Sequence, residues 1–234
     1  MVKKIYNSLT QVCFKDRFLF LLISILCLLL LTPIFKGFIG IRILMDAFIT
    51  AILIFGTYAA SRKIYITITA ASLALPMLVS IWISHFVDIP FLVFMGDCFG
   101  IIFLAFLVIV ILSFIFGELE VTTNVIYASI VVYLLIAIMW AFVYSVLESI
   151  QPGSFTIGEG QIDVGRRLYI YYSFVTITTL GYGDITPTTD LANSFSFLEA
   201  VTDQSRHTDS ETGRYTDRSI NEQEGRLDNY IIPV

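Results

Sequence analysis

The chain has 234 residues, of which 57% are hydrophobic and only 14% charged, with a mean hydropathy of +0.84. No water-soluble core of this size needs so much apolar material, which excludes a soluble domain and points to a polytopic membrane protein. The formal net charge of -5 identifies no binding face, since much of the acidity sits in the last thirty-odd residues, and nothing in it suggests a nucleic-acid partner.

Lys3, Lys4, Lys15 and Arg17 precede a first apolar run, Phe18 to Phe35, close to the ~20 residues that a helix needs to cross hydrocarbon. Basic residues are retained on the cytoplasmic side, so residues 1–17 are expected there. No small-residue cleavage pattern follows the run, which favours an uncleaved first span over a signal peptide. A short connection at Lys36-Gly37 leads to the second run, Phe38 to Ala60, closed by the dibasic turn Ser61-Arg62-Lys63. The third, Ile64 to Phe86, contains Pro76, which removes one helix hydrogen bond and is expected to kink the span. His85 and Asp88 are then expected in an outer loop. The fourth run, Ile89 to Phe116, returns inward to Gly117-Glu118-Leu119-Glu120, and Asn124 is the expected cap of the fifth, Val125 to Leu147. Trp82, Trp140, Tyr65 and Tyr144 fall near span ends, where amphipathic rings prefer the headgroup zone. Cys13, Cys27 and Cys98 have no metal-ligand spacing, and the latter two read as packing residues inside apolar runs.

Charges inside spans are costly and normally find partners. Arg42 and Asp46 stand four residues apart on the second span, and Asp97 enters the fourth from the same side, so a cluster of the three is one expectation. The other is that Arg42 snorkels to the interface and pairs locally with Asp46. Arg166 and Arg167 are basic residues on the outer side, contrary to the usual bias. Pro152, Gly153, Gly158 and Gly160 mark the stretch before them as irregular chain, with a helix expected from about Arg167.

That helix, with the aromatic run Tyr171-Tyr172-Ser173-Phe174-Val175-Thr176-Ile177, leads into Thr178-Thr179-Leu180-Gly181-Tyr182-Gly183-Asp184. Two glycines flanking a tyrosine allow the backbone to alternate between conformations, so that consecutive carbonyls face the same way. Several chains meeting on one axis can then form oxygen cages that replace the water around a dehydrated cation. Residues 171–187 resemble the pore helix and selectivity filter of tetrameric potassium channels, in the order of the doubled threonine, Gly-Tyr-Gly, the aspartate and Ile185-Thr186-Pro187. The resemblance implies that the carbonyls of Thr179, Leu180, Gly181 and Tyr182 hold potassium, the permeant species, with Gly183 completing the filter and the Thr179 hydroxyl adding an oxygen at the inner end. Thr178 is then the last pore-helix residue. Tyr172, Phe174 and Tyr182 are candidates for an aromatic cuff around the filter, a role that ordinary packing does not exclude. Asp184 stands at the outer mouth, and Val175 occupies the position where relatives often carry a glutamate that pairs with this aspartate. One filter motif per chain implies four subunits, and the resemblance implies no cofactor. None of the first four spans carries basic residues at every third position, so steep voltage dependence is not expected.

The expected architecture is an all-α polytopic membrane protein with five transmembrane helices, a re-entrant pore helix and filter loop, and a polar, disordered C-terminal tail. It divides into a cytoplasmic N-terminus (1–17), a four-span bundle (18–123), a pore domain (124–201) and the tail (202–234). Leu191 to Val201 begins like an inner pore helix, but residues 202–229 carry too many charges to continue one through hydrocarbon. The expected function is potassium-selective conduction by a homotetramer in a plasma or inner membrane. The alternative is a truncated or non-conducting subunit that assembles with full-length channel relatives. An enzyme is not expected, because Ser173 and Ser194 have no histidine to pair with in the membrane.

Overall fold

The computed structural model describes residues 17–34, 41–60, 64–87, 89–118, 122–158 and 165–202, with the backbone alone at 17, 32–34, 41 and 42. The polar tail beyond Thr202, Cys13 and Asp88 lie outside the described residues, as does the Arg42 side chain. The helices are α1 (Arg17–Ile34), α2 (Ile41–Ala59), α3 (Ile64–Ile83), α4 (Pro90–Ile115), α5 (Thr123–Ile150), α6 (Arg166–Ile177) and α7 (190–202). Two short strands, β1 (Phe155–Ile157) and β2 (Ile185–Pro187), complete the elements. The chain divides into two compact units, Met1–Pro152 with Ile162–Ser173, and Gly153–Gln161 with Phe174–Val234.

Among the described residues three helices, α3, α4 and α5, are long and apolar enough to cross a membrane. The helices α1 and α2 are apolar and run for 18 and 19 residues. Each begins and ends close to the apolar run that predicts it. Pro76 lies inside α3 without ending it. Pro90 opens α4, where its missing N–H is no loss because the first helical donors have no intrahelical acceptor. The cap of α5 is Thr122, whose side chain accepts from the backbone N–H of Val125, and not Asn124. Asn124 sits within the first turn because the helix starts at Thr123.

In the first unit α4 packs on α3 and α5, while α1 packs on α2 and α5. The buried face of α5 runs through Ala128, Val131, Leu135, Ile138 and Phe142, alternating three and four residues as a single helical stripe does. Close approach of α4 to α3 depends on Gly96 and Gly100. A Cβ at Gly96 would meet Ser80, and one at Gly100 would meet the Met77 sulfur. Small residues four apart let two backbones come together where lipid offers no hydrophobic drive. Ser80 Oγ crosses the seam to donate to the carbonyl of Leu92 at 2.7 Å.

Two of the four interfacial aromatics have a different role. Tyr144 is fully buried and Trp140 nearly so, their rings 6.1 Å apart, because both lie on the inward face of α5. Trp82 and Tyr65 are exposed. Gly96→Val is expected to lower stability by about 1–3 kcal/mol through overpacking against Ser80, read from thermal unfolding in detergent, whereas Leu75→Val on the exposed face of α3 is expected to change little.

Candidate ion-conduction site

In the second unit α6 ends at Ile177, and Thr178-Thr179 form a turn, so the helix stops one residue before the expected end. The N–H groups of Leu180 and Gly181 fold back onto the Val175 carbonyl at 3.0 and 3.3 Å, and that of Thr179 bonds the Thr176 carbonyl at 3.0 Å. The Thr178 hydroxyl donates to the Phe174 carbonyl at 2.5 Å. These bonds satisfy the last turn of the helix and aim the chain into an extended loop.

Along that loop φ is positive at Thr179 (59°), Gly181 (53°) and Gly183 (72°), and negative at Leu180 and Tyr182 between them. A β-branched residue in the left-handed region is a genuine outlier, and such strain costs on the order of 1–3 kcal/mol. A Cβ at Gly181 or Gly183 would meet nothing within 4 Å, so what glycine supplies there is backbone conformation and not space. Among the described residues, no carbonyl from Thr179 to Gly183 accepts a hydrogen bond. Tyr182 and Leu180 are exposed.

The chain leaves the loop through a clasp. Strand β2 pairs antiparallel with β1 in the register Phe155↔Pro187, Thr156↔Thr186 and Ile157↔Ile185, so part of the stretch expected to be irregular is a strand. The Gly158 N–H donates to the Asp184 carbonyl at 2.8 Å, an approach so close that a Cβ at 158 would sit 3.1 Å from that oxygen. Asp184 Oδ1 accepts from the N–H of Ile185 at 3.1 Å. Thr188 and Thr189 bond Gly153 and Ser154, and Thr189 Oγ1 caps α7 by accepting from Ala192.

The first unit holds a buried charge cluster of which only part was expected. Asp46 near the start of α2 and Asp97 near the start of α4 do converge, and Arg166, the first residue of α6, meets both. Its Nη2 lies 2.5 Å from Asp97 Oδ1 and its Nη1 lies 3.5 Å from Asp46 Oδ1, with the guanidinium carbon 5.0 Å from the centre of the Phe142 ring. Ser145 donates to Asp97 Oδ2 at 2.6 Å, and His85 Nε2 lies 2.9 Å from Asp46 Oδ2. His85, in the turn that follows α3, therefore belongs to the cluster, and Arg166 is the half-buried counter-ion of both carboxylates. The signal in the sequence was Asp97, a carboxylate deep in an apolar run with no basic neighbour on its own helix.

The first two turns of α6 have other ties within this unit. Ser173 Oγ donates to the Ala137 carbonyl of α5 at 2.7 Å, and the Tyr172 ring meets that of Tyr144 edge-on at 5.1 Å. Tyr172 is thus packed inside the first unit, and Phe174 is half-buried.

Residues 121–203 match the family model described as an ion channel, a stretch that takes in α5, the clasp, α6, the loop and α7. That segment is therefore similar to an ion channel, in a chain that has, among the described residues, three helices long and apolar enough to cross a membrane. No curated protein matches the chain.

Replacing Asp97 by Ala leaves the guanidinium of Arg166 facing a cavity and removes the acceptor of Ser145. The expected loss of stability is about 3–5 kcal/mol, measured by unfolding in detergent, with Asp97→Asn losing less because it can still accept from Ser145.

Proposed function

We propose that the chain is the subunit of a potassium-selective channel, a homotetramer in which the carbonyls of Thr179, Leu180, Gly181 and Tyr182, with Gly183, line the ion path. The observation that carries this reading is the alternation in the sign of φ from Thr179 to Gly183, with a threonine held at 59°. Alternating handedness turns successive carbonyls to one side, and these carbonyls accept no hydrogen bond among the described residues. A row of oxygens left without donors is what a dehydrated cation needs. The C-terminal end of α6 directs about half an elementary charge of negative potential towards the start of the loop, which favours a cation there.

On this reading five spans cross a plasma or inner membrane with the N-terminus cytoplasmic, α6 re-enters from outside, and no cofactor takes part. Thr178 closes the pore helix, Phe174 and Tyr182 belong to the wall around the filter, and Asp184 holds its outer end through the Gly158 clasp. Conduction is passive, and the protein supplies selection alone.

A second reading, a non-conducting subunit that joins longer relatives, rests on the charges between Asp203 and Asp228, which cannot follow α7 into hydrocarbon. Recording from the purified chain in planar bilayers separates the two. Potassium-selective openings that Tyr182→Ala abolishes support the channel. Silence on its own, together with altered currents when the chain is mixed with a longer relative, supports the subunit. Gly181→Ala is expected to remove selectivity for potassium over sodium, since alanine at a φ of 53° resists the conformation by about 1 kcal/mol per chain, multiplied across the subunits; reversal potentials in mixed potassium and sodium solutions measure it.

A further inference from the structure

The carbonyl row of the second unit ends at a defined point. From Thr179 to Gly183 no carbonyl accepts a hydrogen bond among the described residues, and the next one, of Asp184, is taken by the Gly158 N–H at 2.8 Å. Gly158 follows β1 directly, so a segment that precedes α6 in the chain decides where the row stops. The approach leaves little room for a side chain, since a Cβ at 158 would stand 3.1 Å from the Asp184 oxygen. Here glycine supplies space, whereas at 181 and 183 it supplies conformation.

A ribbon of two strands with three residues each is marginal in isolation. This one is anchored. Phe155 and Ile185 are buried and Ser154 fully so. Beyond β2, the Thr188 N–H donates to the Ser154 carbonyl at 2.9 Å and the Thr188 hydroxyl to the Gly153 carbonyl at 2.7 Å. Residues 153–158 therefore hold the chain on both sides of β2, and all of these residues belong to the second unit. Thr179, at a φ of 59°, needs such restraint, because backbone strain persists only where the surroundings over-determine it. The fold-back onto Val175 fixes one end of the loop and the bond from Gly158 fixes the other, so the chain between them cannot relax by rotating a free end.

We infer that Gly158, at the end of β1, is a positioning residue for ion selection: by holding the chain at Asp184 it keeps the Thr179–Gly183 backbone in its alternating conformation. The inference rests on the channel reading above and deepens it, assigning part of the selectivity to a residue that lies outside the 178–184 motif and touches no ion.

The test compares the full chain with Gly158→Ala, which crowds the Asp184 oxygen, and Gly158→Pro, which removes the donor. Loss of one hydrogen bond per chain is expected to lower the potassium over sodium permeability ratio about fivefold in Gly158→Pro and about twofold in Gly158→Ala. Hydrogen exchange at the backbone amides of Leu180 and Gly181, which bond the Val175 carbonyl at the opposite end of the loop, gives a readout that needs no current. Exchange there is expected to quicken about fivefold in Gly158→Pro. Quickening confined to Ile185, with Leu180 and Gly181 unchanged, would mean that the clasp secures only itself and would overturn the inference, as would a wild-type permeability ratio in Gly158→Pro. A rescue separates positioning from plain unfolding. Thr156 and Thr186 are exposed and stand directly opposite, so adding Thr156→Cys and Thr186→Cys to Gly158→Pro allows a disulfide across the ribbon. Closing it is expected to restore slow exchange and most of the ratio, and a closed disulfide without recovery counts against the inference. Silence of the wild type in bilayers would remove the channel reading alone, with exchange at Leu180 and Gly181 then deciding whether Gly158 holds the loop.

Discussion

A charge stays inside an apolar helix bundle only where opposite charge and hydrogen bonds meet it, and the first unit of this protein is arranged to satisfy that condition at Arg166. Apolar helices in lipid can slide or rotate past one another at small cost, because hydrocarbon is as good a neighbour to leucine as another leucine is. The cluster of Asp46, Asp97, Arg166, His85 and Ser145 penalises such movement, since a shift of one residue would strand an ion. It draws together the start of α2, the end of α3, the start of α4, the end of α5 and the start of α6. That convergence alone requires α2 to α5 to run alternately up and down. The glycine seam of α4 against α3 then sets how close the helices come, and the cluster sets which ends meet.

The second unit uses other means. It has few large buried side chains, and its order comes from backbone and hydroxyl hydrogen bonds: the fold-back onto Val175, the β1 and β2 ladder, the Gly158 to Asp184 contact and the threonines that start α7. The loop between these fixed points carries the strain, at Thr179, and has both of its ends secured by bonds that do not involve its own carbonyls.

The helices of the first unit were readable from the sequence because each is a long apolar run bounded by charge, glycine or proline, and such runs are the strongest signal that a chain carries. The helix leading to the loop was readable from its aromatic spacing and from the glycines that follow it. Partnership was not. Asp46 and Asp97 announced a need for a cation, but Arg166 is 120 residues from Asp46, too far for any spacing in the sequence to point to it, and is brought in by the turn of the whole chain. Tyr144 and Trp140 looked interfacial because position along a helix is visible in a sequence and the side of the helix that faces inward is not. The strand at Phe155–Ile157 is too short to show alternation and exists because Ile185–Pro187 comes back alongside it.

On the channel reading, the oxygens of the 179–183 loop, which accept no hydrogen bond among the described residues, have a consequence for biogenesis. A peptide oxygen without a donor costs several kcal/mol in hydrocarbon, and a protomer inserted alone would bring a row of them. On that reading it must drag water into the bilayer or hold the loop at the surface until the proposed sister copies arrive. On the same reading a newly made copy is a wet defect in the membrane, and the proposed joining of its neighbours heals it.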